Sequence, residues 1–257
     1  MKVLETKNLS KNFGGLQAVS NVNMTIEKGE LVGLIGPNGA GKTTFFNLLT
    51  GVYEPSSGEI NLYDGEKAKD ISGTKPYLAT QMGMARTFQN IRLFKEMTVL
   101  DNLKVAMNKD IKYGLFSAIL RLPKYYEQEI LINDRALKLL DEVGLLAKKD
   151  ELAKNLPYGE QRKLEIARAL ATDPKILFLD EPAAGMNPFE TAELTKLIRE
   201  LRSKYDLTIV LIEHDMSLVM EICEKIFVLD YGRLIATGNA DEIKHNKKVI
   251  EAYLGED

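Results

Sequence analysis

One nine-residue stretch constrains this chain more than any other: "GPNGAGKTT", residues 36–44. Upstream, "GELVGLIG" is a short apolar run with a glycine at each end, which reads as a buried strand. Downstream, Phe45, Phe46, Leu48 and Leu49 are apolar and read as a helix from about Lys42. Strand, glycine-rich loop and helix, with the spacing Gly36-x-x-x-x-Gly41-Lys42-Thr43, make a P-loop. The glycines let the backbone turn tightly, so that successive N–H groups point at phosphate oxygens. The helix N-terminus adds positive potential. Lys42 is placed to neutralise the β- and γ-phosphates of a nucleotide, and the Thr43 hydroxyl to ligate Mg²⁺. Pro37, Asn38, Gly39, Ala40 and Thr44 complete the cradle.

The rest of the chain supplies a sheet for that loop. Residues 1–35 alternate in a β-like way through "VLETKNL", "AVSNVNMTI" and "GELVGLIG", and "EPSSGEINLYDG" reads as turn, strand, turn. From about 97 the character changes. Thr98 opens "MTVLDNLKVAM" as a candidate N-cap, and Ile130, Leu137, Leu140 and Val143 fall near helical spacing. Residues 90–155 read as a mainly helical insertion, with Pro123 ending a helix or loop inside it. After 160, the buried strands "KILFLD", "LTIVLIE" and "IFVLD" alternate with amphipathic helices, the pattern of a parallel sheet covered on both faces.

Composition narrows the function classes. A formal net charge of −3 offers no electrostatic argument for wrapping nucleic acid and leaves only local basic patches open. The single cysteine, Cys223, excludes an intramolecular disulfide and a cysteine-based metal site, and reads as a small buried hydrophobe. The start "MKVLETKNLS" lacks the apolar run of a signal peptide, and "TIVLI" and "KILFL" are too short to cross a bilayer. A cytosolic chain is expected, one that serves any membrane process by docking onto other subunits.

"KILFLDEP" places Asp180 and Glu181 at the end of an apolar strand, where ligands of open α/β sheets sit. Asp180 can hold Mg²⁺ through its water shell, and Glu181 can activate an attacking water. Two adjacent carboxylates need a cation close by.

Taken together, these residues resemble the ATP-binding subunits of ABC transporters over essentially the whole chain. "GPNGAGKTT" stands as the Walker A loop and "ILFLDEP" as Walker B, with Glu181 as general base. The resemblance implies further roles. Phe13 in "KNFGG" is similar to the aromatic that stacks on adenine. Gln89 in "ARTFQNIRLF" is similar to the Q-loop glutamine that links Mg²⁺ and water to the helical subdomain. His214 in "LIEHDM" is similar to the switch histidine at the γ-phosphate, and "AAGMNP" stands at the D-loop position. The implied fold is a RecA-like α/β P-loop NTPase core with an N-terminal antiparallel β subdomain and an inserted helical subdomain. Residues 1–89 and 156–257 form the core and 90–155 the insertion, within one ABC ATPase domain.

At finer grain, "MARTFQNIRLFKEMTVLDNL", "PYGEQRKLEIARAL", "DEPAAGMNP" and "IEAYLGE" are similar to the LivG-type ATPases of branched-chain amino-acid importers. Importers of urea or short amides, lipid exporters and soluble ABC ATPases stand as alternatives. The resemblance implies a partner ATPase subunit, the same chain or a related one, two transmembrane permeases on the inner face of the membrane, and indirectly an extracytoplasmic solute-binding protein. Each ATP would lie between one chain's P-loop and the other's signature helix, reached in trans through Gly159. "GLFSAIL" and the segment after Gln89 are the expected docking surface. The signature itself is altered. "LPYGEQ" has Pro157 and Tyr158 where the family has Ser and Gly. Pro157 has neither hydroxyl nor N–H, and a lost hydrogen bond to a charged group costs about 1.5–3 kcal/mol.

Overall fold

The computed structural model describes residues 1–107 and 120–254. The chain divides into two compact units, Met1–Arg86 with Lys175–Asp257, and Thr87–Pro174.

The first unit opens with the hairpin β1 (Lys2–Phe13) and β2 (Leu16–Glu27). Next come β3 (Leu31–Ile35), α1 (Lys42–Leu49), β4 (Ser57–Asp64), β5 (Lys67–Asp70), α2 (Pro76–Gln81) and β6 (Met84–Arg86). The second unit contributes α3 (Val99–Ala106), α4 (Pro123–Glu142) and α5 (Tyr158–Leu170). The chain then returns to the first unit through β7 (Ile176–Asp180), α6 (Pro188–Tyr205), β8 (Thr208–Ile212) and α7 (Met216–Ile222). It ends with β9 (Lys225–Asp230), β10 (Arg233–Gly238), α8 (Ala240–Lys244) and α9 (Lys247–Leu254).

Two sheets result. The antiparallel one runs β2-β1-β4-β5, and the other runs β10-β9-β3-β8-β7-β6. The second is parallel apart from its edge strand β10, which pairs antiparallel with β9. Every residue of β3, β7 and β8 is buried, which is why these strands read as unbroken apolar runs. The order β3-β8-β7 sets three carboxyl ends side by side: Leu34 pairs with Ile212, and Ile212 with Asp180. One core joins Leu4, Leu9 and Ile26 of the antiparallel sheet to Phe45 and Phe46 of α1 and Phe178 of β7. The Phe46 and Phe178 rings meet edge to face, 5.4 Å apart.

Gly33 lets α7 lie against the central strand. A Cβ there would stand 2.9 Å from Val219 Cγ1 and 3.1 Å from Cys223 Sγ. Cys223 caps the end of α7 and is buried, which pushes its thiol up to about 12, so it packs as a hydrophobe and is a poor nucleophile.

Some elements escape the pattern. The β9–β10 hairpin turns at Tyr231 and Gly232, both left-handed (φ 42° and 75°), the geometry of a type I′ turn. Glycine is made for that conformation and tyrosine is not, which hides the turn. Pro123 ends a loop by opening α4 at its first position, where the missing N–H is no loss.

In the second unit Thr98 caps α3, its side chain accepting from the Asp101 N–H at 3.0 Å. Leu103, Ala136, Leu140, Leu164, Ala167 and Ala171 are buried there. The unit takes in α5, which the sequence reading groups with 156–257. Of "GLFSAIL", only Leu120 lies within the described residues; Gly255 and Glu256 of the terminal segment also lie outside them.

Candidate nucleotide site

The loop between β3 and α1 is shaped by its glycines. Gly39 and Gly41 adopt φ of 81° and 92°, and Gly36 one of 151°. Side chains are excluded at two of them: a Cβ on Gly36 would meet Leu229 O at 2.1 Å, and one on Gly41 would meet Ala18 O at 2.4 Å. Asn38 and Gly39 are exposed, Pro37 is half-buried, and Gly36 and Ala40 are buried. The Gly232 N–H donates to Ala40 O at 2.9 Å, and Ser20 N–H to Gly232 O at 2.8 Å, so the β9–β10 turn and β2 brace the loop. At the first turn of α1, Thr43 is exposed and Thr44 half-buried. The Lys42 ammonium folds over the loop and donates to Gly36 O at 2.6 Å and Pro37 O at 2.9 Å. Burial lowers its pKa, opposed by the nearby charge of Glu181.

The other two strand ends complete the arrangement. Glu181 sits just past β7 with a left-handed φ of 45°, a backbone strain of about 1–3 kcal/mol of the kind stored at functional sites. Its N–H donates to Ile212 O at 2.9 Å, tying the ends of β7 and β8 together. His214, just past β8, is exposed and places Nε2 2.7 Å from Glu181 Oε1. The structure therefore joins the proposed base and the proposed switch residue directly.

Sequence reasoning missed two residues here. Arg86, the last residue of β6, donates from Nη2 to Asp180 Oδ2 at 2.7 Å and from Nη1 to Asn47 Oδ1 at 2.6 Å and Thr50 Oγ1 at 2.8 Å. Its guanidinium also lies 4.8 Å from the centre of the Phe46 ring. It is a cation paired with Asp180, one of the two adjacent carboxylates; Asp180 is 4% exposed and Glu181 9%. A lone arginine in "MARTFQ" gives no hint of this, because its partners come from α1 and β7. Glu213, buried between Ile212 and His214, accepts from the Ala183 N–H at 2.7 Å and the His214 N–H at 3.1 Å. Burial raises its pKa against the pull of the Ala183, His214 and Asp215 N–H groups. A charged residue continuing the apolar run "TIVLI" was the available signal.

Phe13, at the end of β1, is 43% exposed and not a core residue. The Tyr53 ring meets it edge-on at 5.3 Å, and Lys11 Nζ lies 5.1 Å from its centre.

Gln89 and Gly159 belong to the second unit. There Arg162 of α5 is fully buried, donating to Phe88 O at 2.7 Å, Gln89 O at 2.9 Å and Glu165 Oε2 at 2.7 Å. Glu165 Oε1 accepts from the N–H groups of Phe88 at 3.4 Å and Arg92 at 3.2 Å. The segment around Gln89 is thus held by an ion pair on α5. Pro157 stands at the N-cap of α5 with no side-chain cap, as its chemistry requires, while Gly159 is buried in the first turn.

Mg²⁺ takes oxygen ligands and keeps several waters, so it needs few protein donors. The Thr43 hydroxyl and the Asp180 carboxylate are donors of that class, with Asp180 held by Arg86. Among the described residues no group of three or more His, Cys, Asp or Glu side chains could hold a metal ion.

Comparison with known proteins agrees with this geometry. Residues 19–184 match the ABC transporter family, and residues 233–257 match the branched-chain amino acid ATP-binding cassette transporter family. The chain is 50% identical to the high-affinity branched-chain amino acid transport ATP-binding protein LivG of Escherichia coli, over 99% of this chain and 98% of that one. It is 47% identical to the BraF protein of the same description from Pseudomonas aeruginosa, over 99% and 98%. It is 34% identical to the lipopolysaccharide export system ATP-binding protein LptB of Haemophilus influenzae, over 100% and 98%. A crystal structure of a nucleotide-free ATP-binding cassette from an ABC transporter superposes with a TM-score of 0.84, at 33% identity and covering 100% of both chains. A P-loop beside an acid-ended strand, matched along its full length by such cassettes, leaves one conclusion: the chain belongs to the family of ABC transporter ATP-binding proteins.

Proposed function

We propose that this chain is the ATP-hydrolysing subunit of an importer for branched-chain amino acids. The observation that carries the catalytic part is the convergence of Lys42, Glu181 and His214 at three adjacent strand ends. Lys42 and the N–H groups of residues 36–44 would hold the ATP phosphates, Phe13 would stack on adenine, and Thr43 and Asp180, with Gln89 by its resemblance to the Q-loop glutamine, would hold Mg²⁺. Bound Mg²⁺ neutralises charge across the phosphates. Glu181 accepts the proton of the attacking water, and His214 orients that carboxylate through their shared hydrogen bond. Arg86 keeps Asp180 placed and its charge compensated.

Substrate class rests on the 50% identity to LivG, against 34% to LptB, and on the match of the tail to the branched-chain family. Two such subunits, identical or related, close face to face on ATP, with Gly159 meeting the partner's nucleotide. ATP favours the closed pair and hydrolysis releases it. The second unit passes this motion to two permeases at the inner face of the membrane, fed by an extracytoplasmic binding protein. Among the described residues no helix is long and apolar enough to cross a membrane. Pro157 removes a cap and a donor from this chain's signature; if a related partner keeps both, the two ATP sites turn over at unequal rates.

Deleting the gene tests the whole reading. Uptake of labelled leucine at submicromolar concentration should fall about tenfold or more and return with the wild-type chain but not with Glu181→Gln. Unchanged leucine uptake beside lost urea or amide uptake would overturn the substrate class.

A further inference from the structure

Two loops meet at the Glu181–His214 hydrogen bond, and a single carboxylate joins them. Glu213 directs Oε1 at the Ala183 N–H (2.7 Å) and Oε2 at the His214 N–H (3.1 Å). Ala183 lies two residues past Glu181 and is the first residue of "AAGMNP"; His214 follows Glu213 in the loop after β8. Glu213 is 4% exposed, and among the described residues its hydrogen bonds come from the backbone N–H groups of Ala183, His214 and Asp215, not from a cation. Burying a carboxylate is costly, and an uncharged residue continuing the apolar strand β8 would avoid that cost. Backbone N–H groups repay part of it, since hydrogen bonds to a charged acceptor are about twice as strong as neutral ones. The arrangement spends that stabilisation on one geometric result: the backbone of the switch histidine and the backbone after the catalytic glutamate share one rigid anchor.

We infer that Glu213 is a positioning residue, which locks the loop carrying His214 to the loop carrying Glu181 so that their side chains stay in hydrogen-bond register. This inference rests on the catalytic reading of Glu181 and His214 given above. Only a carboxylate does the task at this site. It offers Oε1 to the Ala183 N–H and Oε2 to the His214 N–H, with the Asp215 N–H as a further donor. A glutamine of the same length offers one acceptor, and its amide would turn a donor against the second N–H. The Glu181–His214 bond would then lose its fixed geometry while the P-loop, braced by β2 and the β9–β10 turn, stayed as it is. The expected signature is a loss in turnover without a loss in nucleotide affinity.

The test is a double-mutant cycle between Glu213→Gln and His214→Ala, read as ATP turnover by radiolabelled phosphate release. In the wild-type background Glu213→Gln should lower kcat about tenfold or more with KM for ATP within about threefold, because misplacement of a catalytic pair is felt in the chemical step. In the His214→Ala background the same substitution should change kcat less than about twofold, since contacting residues that act as one are not additive. Equal factors in the two backgrounds would overturn the inference and leave Glu213 a structural staple, as would a parallel rise in KM. Glu213→Asp keeps both acceptors on a shorter stem and carries the same cycle if the glutamine variant does not fold, with the same dependence on His214 expected. If His214→Ala alone leaves the wild-type rate unchanged, the catalytic reading itself fails and the inference falls with it; multiplicative factors beside a slow His214→Ala variant reject the inference alone.

Discussion

Replacing Glu181 by glutamine is expected to lower ATP turnover by roughly 10²–10⁴-fold while leaving ATP affinity within about threefold, the range that a general base contributes. Glu181 has a left-handed backbone held by its own N–H on Ile212 O, so its side chain leaves the end of β7 in a fixed direction. Its Oε1 lies 2.7 Å from His214 Nε2, a contact that orients the carboxylate. Glutamine matches the size but cannot take a proton from water. The phosphate cradle, built by residues 36–44 on a different strand, is untouched. Equilibrium binding of a fluorescent ATP analogue and phosphate release, measured on the same preparation, check both halves. A glutamine variant that retains most of its turnover would remove Glu181 from the role of base.

The second large effect concerns stability. Arg86→Met should destabilise the first unit by about 3 kcal/mol, the lower end of what breaking a buried ion pair costs when one charge is left behind. The Arg86 and Asp180 side chains are 13% and 6% exposed, so water cannot take over for the guanidinium. Methionine fills much of the volume against the Phe46 ring but supplies none of the donors to Asp180, Asn47 and Thr50. For a chain of this size the loss corresponds to a fall in Tm of about 6–12 °C, readable by thermal unfolding. Arg86→Lys, which keeps the charge but loses the planar fork, should fall between the two. A methionine variant within about 1 kcal/mol of wild type would show that the pair is solvated in solution.

The contrast between these two residues shows what a linear sequence can reveal. The place of Glu181 at a strand end was legible because local order carries it: an apolar strand followed by acid. The same holds for Gly36, Gly41 and Lys42, whose strand–loop–helix context lies within a dozen residues. The buried parallel strands were legible because burial on both faces writes itself as an apolar run. Arg86 was not, because its role comes from Asn47, Thr50 and Asp180, brought together only by the order β3-β8-β7-β6. Arg162 was hidden for the same reason: a charged residue on an amphipathic helix reads as exposed, and only the fold shows it buried under the carbonyls of Phe88 and Gln89. The β9–β10 hairpin was missed because its turn uses a tyrosine in the left-handed region, paid for by the Gly232 contacts that brace the P-loop.

The central claim is that Lys42, Glu181 and His214 form one ATP-hydrolysing centre. Phosphate release from ATP by the purified wild-type chain, with and without Mg²⁺ and beside a Lys42→Ala variant, tests it most directly. Release that depends on Mg²⁺ and falls to background in the Lys42→Ala variant is the expected result. Release that persists in that variant, or that proceeds equally without Mg²⁺, would contradict it.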